Sequence, residues 1–217
     1  MQHIAMGILG DGFFPGARGN TEAMHRAGGI MLLGQDFGTT KYCESKAGEH
    51  DEYCTTWTNT CDCYLKRLGR QVVWCTNYLM GARRPPLSAQ GDLFDLIKDE
   101  KQWRDYEEDC WRFLCAQVDY QRPELIVVLG NPNRERLSGG HRLNTGWGDS
   151  KSISEAIRNM ASVNRRFSFP LDNGEVHTTA LSLAFHPCYG QGIANKMLID
   201  RDAERVADYH KTLTRLS

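Results

Sequence analysis

The chain has 217 residues, with 26 Lys and Arg against 27 Asp and Glu, a formal charge of −1. That length suits one α/β domain spanning residues 1–217, and so even a charge excludes a protein that coats nucleic acid by bulk attraction. Local basic pairs such as Arg83-Arg84, His141-Arg142 and Arg165-Arg166 are equally consistent with phosphate contacts and with ordinary solvation.

Residues 1–29 are glycine-rich, with Asn20 or Thr21 placed to cap a short helix ending near Gly28. Ile30-Met31-Leu32-Leu33 is too short an apolar run for a helix and stops at Gly34, which predicts a buried strand delivering Gln35 and Asp36 to a loop. The polar, cysteine-bearing segment beyond it runs through Lys41, Glu49 and Asp51 to Trp57, and a loop that long inside one domain is expected to be functional. From Asn59, the pattern Cys63, Leu65, Leu68 before Gly69 predicts a helix with a glycine stop. Val72 to Asn77 then reads as a second buried strand ending on a polar residue.

Arg83-Arg84-Pro85-Pro86 predicts an extended break, followed by a long helix over about Trp103 to Gln121 with Trp111, Leu114, Cys115 and Val118 on an apolar face. Leu125 to Gly130 is the plainest strand. Helices are expected from Pro132 and over Ser154 to Asn164, and Asp172-Asn173-Gly174 carries a hairpin-turn signal. The strand Ala180 to Phe185 ends in His186-Pro187-Cys188-Tyr189-Gly190, and a final helix covers about Ile193 to Leu216.

No apolar run reaches membrane-spanning length and no basic-then-apolar leader opens the chain, so a cytoplasmic protein with no membrane partner is expected. The eight cysteines lack the spacing of a disulfide framework. Several fall inside apolar runs, as buried thiols do. Cys61-x-Cys63 with Cys54 upstream is the nearest approach to ligand spacing, and no C-x-x-C pair occurs, so no metal is expected.

Parallel strands ending on one edge would bring Asp36, Asn77 and His186 together in the crevice where open α/β sheets bind ligands. A carboxylate, an amide and an imidazole suit hydrolysis of a bond whose leaving group is a planar heterocycle: one orients water, one reads the ring edge and one stabilises the departing anion. Each residue alone also has a plain explanation as a turn carboxylate, a turn amide or a strand terminator.

In this combination the chain resembles the uracil-DNA glycosylase superfamily. Gly34-Gln35-Asp36 is similar to the opening of that superfamily's G-Q-D-P-Y motif, and His186-Pro187 to the opening of its H-P-S motif. Thr76-Asn77, Arg84-Pro85-Pro86, Cys110-Trp111-Arg112-Phe113-Leu114 and Arg122-Pro123-Glu124 are similar to the iron–sulfur branch, and the likeness covers about residues 30–190. The resemblance implies a three-layer α/β/α fold with a four-stranded parallel sheet, and a monomeric enzyme that hydrolyses the N-glycosidic bond of a flipped base in DNA with no cofactor. By the same resemblance Asp36 positions the water, His186 faces the base carbonyl and Asn77 reads the base edge.

Gln35, Phe37 and Gly38 then border the base pocket, and Phe37, Tyr53 or Trp57 would stack on the base unless it is core packing. Arg83, Arg84, Pro187, Tyr189 and Gln191 would meet DNA, the last two from the loop that fills the gap left by the extruded nucleotide. Two departures bear on substrate. The cysteines that would accompany Cys110 in holding a cluster are missing. Phe37-Gly38 stands where uracil-specific enzymes have Pro-Tyr, and the missing tyrosine wall leaves room at the 5 position of a pyrimidine. A 5-substituted cytosine of bacteriophage DNA, excised in antiviral defence, is therefore favoured slightly over uracil excised in repair. A catalytically silent nucleic-acid-binding module is the alternative from another class, against which the retention of both Asp36 and His186 counts. A nucleotide-binding regulator would want a Walker-type phosphate loop, and the chain has none.

Overall fold

A computed structural model of the chain describes residues 4–5, 27–36, 60–69, 73–79, 81–83, 99–138, 151–158, 165–171, 173–187 and 193–216. The fold is built on a five-stranded, mostly parallel sheet. Its strands are β2 (Ile30–Gly34), β3 (Val73–Asn77), β5 (Leu125–Leu129), β6 (Arg165–Pro170) and β7 (Val176–Ala184), in the order β3-β2-β5-β7-β6. Separately, β1 (Ile4–Ala5) pairs antiparallel with β4 (Ala82–Arg83).

All residues of β2, β3 and β5 are buried, which is why each reads as an unbroken apolar run rather than an alternating one. Successive side chains point to opposite faces and feed two cores. Met31, Leu33, Trp74, Ile126, Val128, Leu181 and Leu183 pack on one side with Trp103, Tyr106, Cys110, Leu114 and Val118 of helix α2 (Glu100–Gln121). Ile30, Leu32, Val73, Cys75, Leu125, Val127 and Ala180 pack on the other with Ile199, Ala203 and Val206 of helix α5 (Ile193–Leu216). The π-helical stretch Thr60–Leu65 adds Tyr64 to that second core, and the single turn α1 (Lys66–Leu68) adds Leu68. Two short helices, α3 (Asn131–Ser138) and α4 (Ile153–Arg158), follow β5.

The four parallel strands fall where the sequence places them, with small shifts. Strand β6 corrects the expected four-stranded parallel sheet: it adds a fifth strand, antiparallel, at the edge of β7, with Phe167 opposite Thr179 and Phe169 opposite His177. Its exposed residues alternate with Phe167 and Phe169, which face the first core, so the arm is long enough and apolar enough on one side to join the sheet. Helix α2 starts earlier than its apolar face suggests, because the Asp99 carboxylate accepts from the backbone N–H groups of Lys101 and Gln102. It ends where Arg122 turns left-handed ahead of Pro123. The predicted helix before Gly69 begins as a π-helix, and Gly69 takes the positive φ of a glycine stop. Among the described residues no helix is long and apolar enough to cross a membrane.

Candidate functional site at the carboxyl edge

Strand β2 has β3 on one side and β5 on the other, so the chain leaves β2 in one direction and later returns on its opposite flank. The carboxyl ends of β2 and β5 are therefore a topological switch point, the place where open α/β sheets bind ligands. Asp36 follows β2 by two residues, Gly130 follows β5 directly and His186 follows β7 by two. The flanking strands thus carry a carboxylate and an imidazole to either side of a glycine.

That glycine is required. Gly130 has φ of 84°, and a Cβ built on it would lie 3.1 Å from the Cβ of His186. Its N–H donates to the carbonyl of Ala184 at 2.9 Å, which ties the end of β5 to the end of β7. Gly130→Ala is expected to destabilise the fold by about 1–3 kcal/mol, the usual cost of forcing a side chain into this region of backbone space. Urea unfolding checks the value, and an undiminished midpoint would show that neither the positive φ nor the approach of His186 requires glycine here.

His186 is half-buried, and desolvation lowers its imidazole pKa to about 4, while the nearby charge of Asp36 acts to raise it. The ring is therefore neutral at pH 7 and has one N–H to donate. Unfolding between pH of about 6.5 and 4 lets the solvated imidazole take up a proton that the folded one does not bind. Stability from this group is thus full above about pH 6.5, falls as the pH drops towards 4 and levels off below it. Thermal melts across that range should show the decline, and His186→Gln should remove part of it; an identical decline in the variant would exclude His186 as its source.

The charge of Asp36 also bears on Tyr106, a fully buried side chain of α2 whose phenol is held well above its ordinary pKa, chiefly by burial. Arg136 of α3 acts on the same phenol in the opposite sense and lies 5.7 Å over the ring of Trp103. Below the switch point, Asn133 is buried and its amide donates to the carbonyls of Leu33 and Leu129, each at 3.2 Å. It closes the end of the β2–β5 ladder just where Asp36 leaves it. Nothing in the sequence marks Asn133 except its place one turn after a strand end.

Asn77 ends β3 in register with Gly34, and the N–H groups of Tyr78 and Leu79 donate to the carbonyls of Gly34 and Gln35 at 2.9 Å each. This continues the pairing of the two chain segments past the strands and holds the approach to Asp36. Asn77 is buried, 1% exposed, and its neighbour Thr76 donates to Gln117 at 2.6 Å. Gln35 is half-buried, Pro187 is buried and Arg83 lies in β4. Phe37, Gly38, Tyr53, Trp57, Arg84, Tyr189 and Gln191 lie outside the described residues.

Cys63, Cys75, Cys110 and Cys115 are buried and outside any disulfide, and no three His, Cys, Asp or Glu among the described residues gather as a metal site. Neither a protein-family model nor a curated protein matches the chain.

Proposed function

We propose that this chain is a DNA N-glycosylase of the uracil-DNA glycosylase type, acting as a monomer in the cytoplasm on a pyrimidine flipped out of DNA. The observation that carries the reading is the placement of Asp36 and a neutral His186 just beyond β2 and β7, the two strands that flank β5 and Gly130, near enough for the charge of Asp36 to act on the imidazole. The four parallel strands, whose order is second, first, third, fourth in chain terms, support a sheet of the type that the resemblance implies, with β6 as an addition.

In the reaction the bond between C1′ of the sugar and the base nitrogen breaks, its electron pair staying on the base. Water adds to C1′ of the oxocarbenium-like sugar as its proton passes to Asp36, leaving an abasic site. Asp36 also favours the cationic sugar by charge. A neutral imidazole donates a hydrogen bond to the carbonyl oxygen on which negative charge grows, without first having to lose a proton. Since Asn77 is enclosed, a base engages it by entering the protein interior, which fits a flipped nucleotide better than one still stacked.

Gly38, where uracil-specific enzymes have tyrosine, favours a base with a bulky 5-substituent over uracil. Incubating the protein with uracil-containing duplex and single-stranded DNA, and with hydroxymethylated or glucosylated phage DNA, tests both. Release of a free base with alkali-labile sites from one of these is expected. Tight binding to every substrate with no base released would instead favour the silent binding module.

A further inference from the structure

The chain after β7 is gripped immediately before His186. The backbone N–H of Phe185 donates to Oδ2 of Asp202 at 2.7 Å, and the carbonyl of Phe185 accepts from the Tyr64 hydroxyl at 3.1 Å. The same hydroxyl lies 3.3 Å from Oδ2 of Asp202, so its one proton is shared between that carboxylate and the Phe185 carbonyl, and both polar groups of Phe185 are held by side chains. Asp202 and Tyr64 are buried. The second carboxylate oxygen of Asp202 accepts twice from Arg205, at 3.0 Å and 2.6 Å. Arg205 reaches on to Oγ of Ser182 at 3.2 Å and the carbonyl of Leu183 at 2.5 Å, both on β7.

We propose that Tyr64 and Asp202 are positioning residues that fix the backbone at Phe185 and so aim His186 across Gly130, an inference that rests on the glycosylase reading for its catalytic consequence. A buried carboxylate could serve merely to bolt α5 to the sheet, and Arg205, which spans three residues of strand and helix, does that. The Tyr64 contacts differ. They come from another element altogether and converge on the one residue that separates the strand from the imidazole. Gly130 meets His186 as well, since a Cβ built on the glycine would lie 3.1 Å from the Cβ of His186. Loosening the clamp frees the ring to swing towards solvent, where its burial and its aim are both lost.

The test is Tyr64→Phe and Asp202→Asn in the full chain, with Ile199→Val, a buried change on the same helix, as a control for general loss of stability. His186 is followed by NMR titration of its imidazole, assigned by loss of the signal in His186→Gln, and base release is followed under single turnover alongside DNA affinity. Expected for Tyr64→Phe and Asp202→Asn are a rise of the imidazole pKa by at least about half a unit towards its solvated value, and release slowed roughly 10-fold at unchanged affinity. The control should leave both readouts alone. An unmoved titration in a folded Tyr64→Phe protein overturns the proposal, as does a shift of equal size in the control. If the wild-type chain releases no base from any DNA, the glycosylase reading fails while the titration still decides whether the clamp positions His186. Should Asp202→Asn not fold, Tyr64→Phe, which deletes one hydroxyl and keeps the ring, carries the decision.

Discussion

Asp36→Asn is expected to abolish base release while DNA binding persists. The amide keeps the shape of the carboxylate but neither accepts a proton from water nor stabilises the positive sugar by charge. Single-turnover release should fall by about 10²–10⁴-fold, the range for a positioned acid–base group. Affinity for the same DNA should hold or rise slightly, because one negative charge is removed from a site approached by phosphates. Binding without release is the diagnostic pattern. Full activity in the purified variant would take Asp36 out of the chemistry.

His186→Ala should slow release by about 10²–10³-fold, the cost of removing one hydrogen-bond donor from a developing anion. His186→Gln, which keeps a donor on a side chain of similar reach, should recover part of that loss. Because burial holds the imidazole pKa near 4, the rate should show no titration of His186 between pH of about 5 and 8. An unchanged single-turnover rate in His186→Ala would leave the imidazole as packing against Gly130 and nothing more.

The parts of this fold visible in the sequence are those fixed by short-range chemistry. Apolar runs of strand length ending at Gly34, Asn77 and Gly130 announce a sheet buried on both faces, and the residue after each run is placed at an edge by strand geometry alone. The positions of Asp36 and His186, two residues beyond the ends of β2 and β7, follow from that geometry. What stayed hidden depends on partners distant in the chain. Asp202 and Arg205 sit three residues apart on a helix, a spacing that reads as an ordinary surface ion pair, and nothing local says that their carboxylate is buried under Phe185. Asn133 resembles any polar residue in a first helical turn until Leu33, a hundred residues earlier, supplies the carbonyl that it bonds. The antiparallel place of β6 depends on an edge being open beside β7, and no window of sequence contains that fact.

The strand order also governs when the crevice comes into being during folding. Asp36 and His186 arrive from opposite ends of the chain on β2 and β7, and both strands must pair with β5, which lies between them in sequence and in space. The β6–β7 hairpin closes over a short loop and can form early, whereas docking β7 on β5, and β5 on β2, joins segments far apart and pays the entropy of closing long loops. Neither half of the chain holds a partial version of the crevice. The ends of β2, β5 and β7 therefore come together only once β7 has docked, and a chain interrupted before β7 has Asp36 without His186.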